Sequence, residues 1–418
     1  MFGRGVSAGL HLPAILNLQI SSRDGHGFGI LRAMTRTGKL LAELIALPSV
    51  NPAFTPPAGA GDGFARPGTP NFGEKTVADY LAGVAGRFGL EVQWQKVLPG
   101  RANLLVRLRP KRRIRQTILL APHLDTVGAD DKQFRPSTKN GRMHGRGACD
   151  TKGSVAAMIM ALGTLASAST RPQATEIVFA GLIDEENVQA GSRALAASGF
   201  KADLAIVGEP TKLSVVTAHK GSLWLRLQTL GRAAHGATPH LGKNAIHTMA
   251  RVVERLETDY VRALRRREHP LLGVGTVNVG RIAGGRQANI VPDHCEILVD
   301  RRTLPGETEA GVRREIAALL KTCKLRATVS SDKSVPCLAL ETDFRQPLVQ
   351  AFCARTGQTR PAGVHYFCDA AVLSAAGIPS IVFGPGDIAQ AHTADEWIDL
   401  AELERAKDLL LNFFQSLP

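Results

Sequence analysis

Aromatic residues make up only 5% of this 418-residue chain, and nowhere do eighteen apolar residues run consecutively. The second absence excludes a membrane-spanning helix. The first, with no recognition-helix or RNP-like pattern in view, weighs against nucleic-acid binding. Six cysteines (Cys149, Cys295, Cys323, Cys337, Cys353 and Cys368) contain no CxxC pair and form no dense framework. They read as free thiols in a reducing, cytoplasmic setting and not as a disulfide scaffold. There is no internal repeat, and no low-complexity tract of note.

Positive charge is in excess, with 51 Lys and Arg against 37 Asp and Glu, a net charge of +14. The segment RANLLVRLRPKRRIR (101–115) concentrates it. Placed at a strand-turn-strand, it reads as a solvated rim, and attraction of small anionic substrates accounts for the charge as well as nucleic acid would. Residues 1–33 read as a disordered extension without a clear cleavage site, and Met34 opens a credible first helix.

From residue 34 to 212 apolar strands such as TILLAPHLD and EIVFAGLID alternate with helical segments such as GSVAAMIMALGTLASA. That alternation predicts an α/β layer with a mostly parallel sheet. Between 213 and 329 the texture changes to two long helices, near 243–267 and 308–321, among longer strands such as LSVVTAHKGSLWLRLQTLG. This reads as an α+β insert, and the α/β texture returns over 330–418. A Gly- and Pro-rich stretch, AFTPPAGAGDGFARPGTPNFGEK, predicts a long loop after the first helix.

Reactive groups in such sheets collect at the carboxyl ends of strands. There stand His123 and Asp125, then Asp184, Glu185 and Glu186, then Glu209, and near the C-terminus His392; Asp150 precedes a helix. Two histidines with several carboxylates form a donor set for zinc-class divalent ions. His123 and Glu209 on one ion, Glu186 and His392 on a second, and Asp150 between them give each ion three protein ligands. Asp125, two residues beyond His123, is spaced to take the other ring N–H. Glu185 is then left over as a general base. Each piece also has a plain reading: HLD as a loop histidine with a capping carboxylate, DEE as a solvated helix start.

APHLDTV, GRGACDTKGSVAA, DEENVQAGS, IVGEPT, AAHGATPHLGKNAI and FGPGDIAQAHTADEW, in this order, resemble the family of acetylornithine deacetylase, succinyl-diaminopimelate desuccinylase, aminoacylase and glutamate carboxypeptidase. The resemblance covers roughly residues 36–417. It implies a zinc-peptidase-like catalytic domain (34–212 and 330–418) interrupted by a lid that dimerises (213–329). It implies His123, Asp150, Glu186, Glu209 and His392 as ligands of two ions, zinc first and cobalt as the alternative, with Glu185 as base. His235 matches a histidine that reaches the partner subunit's site, and Asn289 and Arg302 match lid positions that hold the substrate carboxylate. Phe367, Cys368, Asp369 and Ala370 stand where the family often has Gly-Thr-Asp-Ala, so the substrate wall differs there. The expected activity is deacylation of a small N-acyl amino acid by a homodimer. A carboxypeptidase or dipeptidase with the same site is the alternative, and a basic noncatalytic binding protein the remote one.

Overall fold

Four neighbouring strands, Thr175–Gly181, Gln116–Leu120, Leu204–Val207 and Ser380–Val382, run parallel through the middle of the largest sheet. They are short, β-branched and aliphatic, and Thr175–Gly181 is buried at every position, as a parallel strand covered on both faces must be. In this computed structural model residues 34–54 and 73–418 are described. The extension 1–33 and most of the predicted Gly- and Pro-rich loop lie outside the described residues.

Antiparallel strands complete the edges: Arg101–Leu108 and Glu91–Leu98 on one side, Val216–His219 and Leu340–Glu341 on the other. Ala362–Val364 pairs in parallel with Val216–His219. Alternation along the strands separates two cores. Leu119, Val178, Ala180 and Ala205 pack with Leu195, Ala370, Ala371 and Leu373 of the helices Ala190–Ala197 and Ala370–Ala375. The intervening Ile118, Leu120, Ile177 and Phe179 are also fully buried. On that face lies the helix Lys152–Ala166, apolar on nearly every side because Arg36–Ile45 and Leu400–Gln415 pack over it.

A second, four-stranded sheet runs in the order Thr276–Gly284, His294–Thr303, Gly221–Leu230 and Thr328–Ser331, all antiparallel. One of its faces is covered by the helices Ala245–Arg255 and Glu309–Thr322, with Leu225, Leu227, Ile297, Val299, Met249, Val252 and Ile316 between them. The residues read as one long strand, 213–231, are two strands in different sheets, so the smaller sheet begins at Gly221 and its last strand ends at Ser331. The chain crosses over at Gly221, where a Cβ would lie 2.4 Å from Thr303 Oγ1 and 2.5 Å from the Cys337 carbonyl. Only glycine permits that approach.

The solvated-rim reading of residues 101–115 holds for the turn, where Lys111–Arg113 and Arg115 are exposed. It fails on the strand. Arg107 pairs with Glu176 at 3.1 Å, and Arg101 pairs with Glu74 and, at 3.0 Å, with Asp184.

Candidate metal centre

The four parallel strands deliver their loops to one edge of the sheet, in the spatial order Glu185–Glu186, His123, Glu209, His392. His123 stands three residues beyond Gln116–Leu120 and continues the parallel ladder through a bridge to Leu182. Glu209 stands two residues beyond Leu204–Val207. Asp150 precedes the helix Lys152–Ala166, and His392 sits in the loop after Ser380–Val382 with a left-handed φ of 62°. His123, Asp150 and Glu209 are buried, while the His392 side chain is 52% exposed and forms the open side of the cluster.

Asp150 lies at the centre. Its Oδ1 is 3.0 Å from His123 Nε2, and its Oδ2 is 3.3 Å from His392 Nε2. Glu209 Oε1 lies 3.8 Å from His123 Nε2, and Glu186 Oε1 lies 3.2 Å from His392 Nε2. One donor atom each of His123, Asp150 and Glu186 falls within 4.8 Å of the others. A tetrahedral ion with zinc–ligand bonds near 2.1 Å has ligands roughly 3.4 Å apart, so these separations fit metal-coordination edges.

The charges point the same way. Burial and neighbouring carboxylates push the Glu185 and Glu209 carboxyls well above their usual range. Hydrogen bonds to Asp150 and Glu186 raise His392 to about 10. For His123, burial opposes protonation, but Asp125 and Asp150 outweigh it and raise its pKa well above normal. A dication among these groups would favour the ionised carboxylates and the neutral imidazoles.

His123 Nδ1 donates to the main-chain carbonyl of Asp125 at 2.9 Å, and the Asp125 carboxylate lies 3.5 Å from the same nitrogen. That carboxylate also accepts the N–H groups of Glu185 and Glu186, both at 3.1 Å. Asp184, at the same strand end as its two neighbours, turns to Arg101 and Asn51. Glu396, missed in the sequence although it stands four residues after His392, is buried and accepts from Gly147 N, Cys149 N, Asp150 N and Arg146. It fixes the loop that carries Asp150.

His235, Asn289 and Arg302 belong to the segment of the smaller sheet, and no hydrogen bond or ion pair joins them to the metal cluster among the described residues. His235 and Asn289 adjoin, since Gly236 N donates to the Asn289 carbonyl at 2.7 Å. Strand alternation buries Arg301 against Glu307 and Tyr260 and turns Arg302 to the opposite face, with its guanidinium carbon 5.8 Å from the centre of the Phe367 ring. Cys368 is buried, and burial and nearby carboxylates push its thiol up, away from the thiolate a nucleophile needs.

Residues 119–416 match the family model described as peptidase family M20/M25/M40. Acetylornithine deacetylase of Proteus mirabilis (strain HI4320) is 32% identical over 338 residues, covering 77% of this chain and 84% of that protein. Acetylornithine deacetylase of Myxococcus xanthus is 31% identical, covering 71% and 79%. At the level of fold, aminopeptidase PepT from Bacillus cereus ATCC 10987 superposes with a TM-score of 0.71 at 22% identity, covering 91% of this chain and 97% of that one. The M20 family metallo-carboxypeptidase Sso-CP2 from Sulfolobus solfataricus gives 0.68 at 18%, covering 91% and 99%. The chain belongs to peptidase family M20/M25/M40 and is a metal-dependent amide hydrolase.

Proposed function

We propose that the chain is a di-metal deacylase of small N-acyl amino acids, of the acetylornithine deacetylase type. The observation that carries this reading is the Asp150 carboxylate, which presents one oxygen to His123 and the other to His392. His123 and Glu209 would hold one ion, Glu186 and His392 the other, and Asp150 both. Zinc, with cobalt as the alternative, supplies Lewis-acid polarisation of the amide carbonyl and acidifies water.

The protein's own residues handle the protons. Glu185 takes the proton of the attacking water and returns it to the leaving nitrogen. His235 Nδ1 accepts from Ala237 N at 3.1 Å, which leaves the proton on Nε2 of an exposed ring. In a homodimer His235 of the partner subunit donates that proton in a hydrogen bond to the carbonyl oxygen as negative charge develops. Arg302 and Asn289 hold the substrate carboxylate, a task a planar guanidinium suits. Exposed Leu230, Leu241, Ile282 and Ile290 on the smaller-sheet segment support an interface there. Free cysteines, and no helix among the described residues long and apolar enough to cross a membrane, fit a cytoplasmic enzyme.

A panel of acetylornithine, succinyl-diaminopimelate, acetyl-amino acids and dipeptides, assayed with zinc or cobalt, tests the reading. Highest kcat/KM on an N-acyl amino acid is expected. Preference for dipeptides would move the chain to the peptidases with the same site, and hydrolysis of none would end the deacylase reading.

A further inference from the structure

The turn that carries Glu185 and Glu186 is held by three carboxylates, one amide and one guanidinium. Glu74, 1% exposed, stands at the N-terminus of the helix Lys75–Arg87. Its Oε2 accepts from Arg101 Nε at 2.9 Å, and its Oε1 accepts from Arg101 Nη2 and, at 3.1 Å, from Asp184 N. The third guanidinium nitrogen, Nη1, lies 3.0 Å from Asp184 Oδ1. Asn51 Nδ2 then spans Asp184 Oδ1 at 3.1 Å and Asp125 Oδ2 at 2.7 Å. The Asp125 oxygens end the path on the N–H groups of Glu185 and Glu186.

Two features show that this path sets geometry and does more than fill space. Asp184 has a φ of 68°, a left-handed conformation that a non-glycine residue keeps only when its surroundings over-determine it. Among the described residues Arg101 is also the only cation ion-paired to the three carboxylates Glu74, Asp184 and Asp125, apart from the His123 ring itself. Without the guanidinium, Glu74 and Asp184 are left as neighbouring buried acids, and the turn must move to separate or hydrate them.

We propose that Arg101 is a positioning residue for the metal site: by gripping Glu74 and Asp184 together, its guanidinium fixes the main-chain turn that aims Glu185 and Glu186. The proposal rests on the base and ligand roles given to those two residues above. Among the described residues Arg101 makes no hydrogen bond or ion pair with the metal ligands, so its effect belongs in metal geometry and kcat and not in KM.

Arg101→Ala and Arg101→Lys, in the full chain loaded with cobalt, test it through the visible cobalt spectrum, kcat and KM, each with and without millimolar guanidinium. The expected result for Arg101→Ala is an altered spectrum and a kcat lowered on the order of a hundredfold, the scale of a small misplacement of reacting groups, with KM within about twofold. Guanidinium partly restores spectrum and kcat, and urea at the same concentration does not. Arg101→Lys falls between, because an ammonium cannot reproduce the fork. If Arg101→Ala fails to fold, Arg101→Lys must still show the altered spectrum and lowered kcat at unchanged KM. Wild-type spectra and kcat in the variants, or losses that guanidinium does not reverse, would overturn the proposal. Should the wild-type enzyme hydrolyse nothing on the panel, the deacylase reading fails, and the cobalt spectra alone decide the role of Arg101.

Discussion

Glu186 meets His392 at 3.2 Å, whereas the Glu185 carboxylate makes no hydrogen bond among the described residues. Adjacent in sequence and identical in chemistry, the two acids differ in what they face. Glu185→Gln is therefore expected to keep its metal while kcat falls at least about a hundredfold, the scale of a lost general base. Glu186→Gln is expected to weaken metal binding instead. Metal analysis of both variants beside their kinetics checks this division, and equal loss of metal from both would refute it. His123, Glu185, Glu186 and Glu209 were legible because each is a strong donor placed a few residues beyond an apolar strand. Asp184 and Arg101 were not. The left-handed turn at Asp184 breaks the alternation that would have aimed it with its neighbours, and Arg101 comes to it from a strand 83 positions earlier, reading locally as one more solvated arginine. Glu396 and Asn51 escaped for the same reason, since their partners are fixed only by tertiary packing.

At the scale of elements, the strands and helices around the site follow the apolar periods of the sequence, and the long segment 213–231 shows where periodicity runs out. Its two halves are both apolar, so nothing in the pattern separates Val216–His219 from Gly221–Leu230; the break is set by the close approach that Gly221 permits. Short strands such as Leu340–Glu341 and Ala362–Val364 carry too few residues for a period to register. The junction has a measurable signature. His219 is fully buried at the end of Val216–His219, with Nδ1 2.9 Å from the Lys220 carbonyl and Nε2 without a hydrogen-bond partner among the described residues, and burial lowers its pKa to about 4. An unfolded imidazole titrates near 6.5, so between these values the unfolded chain binds the extra proton and the folded chain does not. Stability is unaffected above this window and falls as pH drops through it, by about 3 kcal/mol in all. In metal-free protein, Tm should fall less between pH 7 and pH 5 for His219→Leu than for the wild type, whatever the variant's absolute stability. Equal falls would contradict the assignment.

For the whole molecule, the central parallel strands build one edge where donors from five separate stretches of sequence meet. The two-sheet plan was legible from the change in texture along the chain, but the depth of interlock between the sheets at Gly221 was not. Everything functional depends on the cluster being a metal site on which amide hydrolysis relies. The most direct measurement strips the purified protein with a chelator, titrates zinc or cobalt back, and follows bound metal and amide hydrolysis together. The account predicts no hydrolysis in the stripped protein and recovery as up to two equivalents per chain bind, with both equivalents impaired in Asp150→Asn; full activity in thoroughly metal-free protein would contradict it.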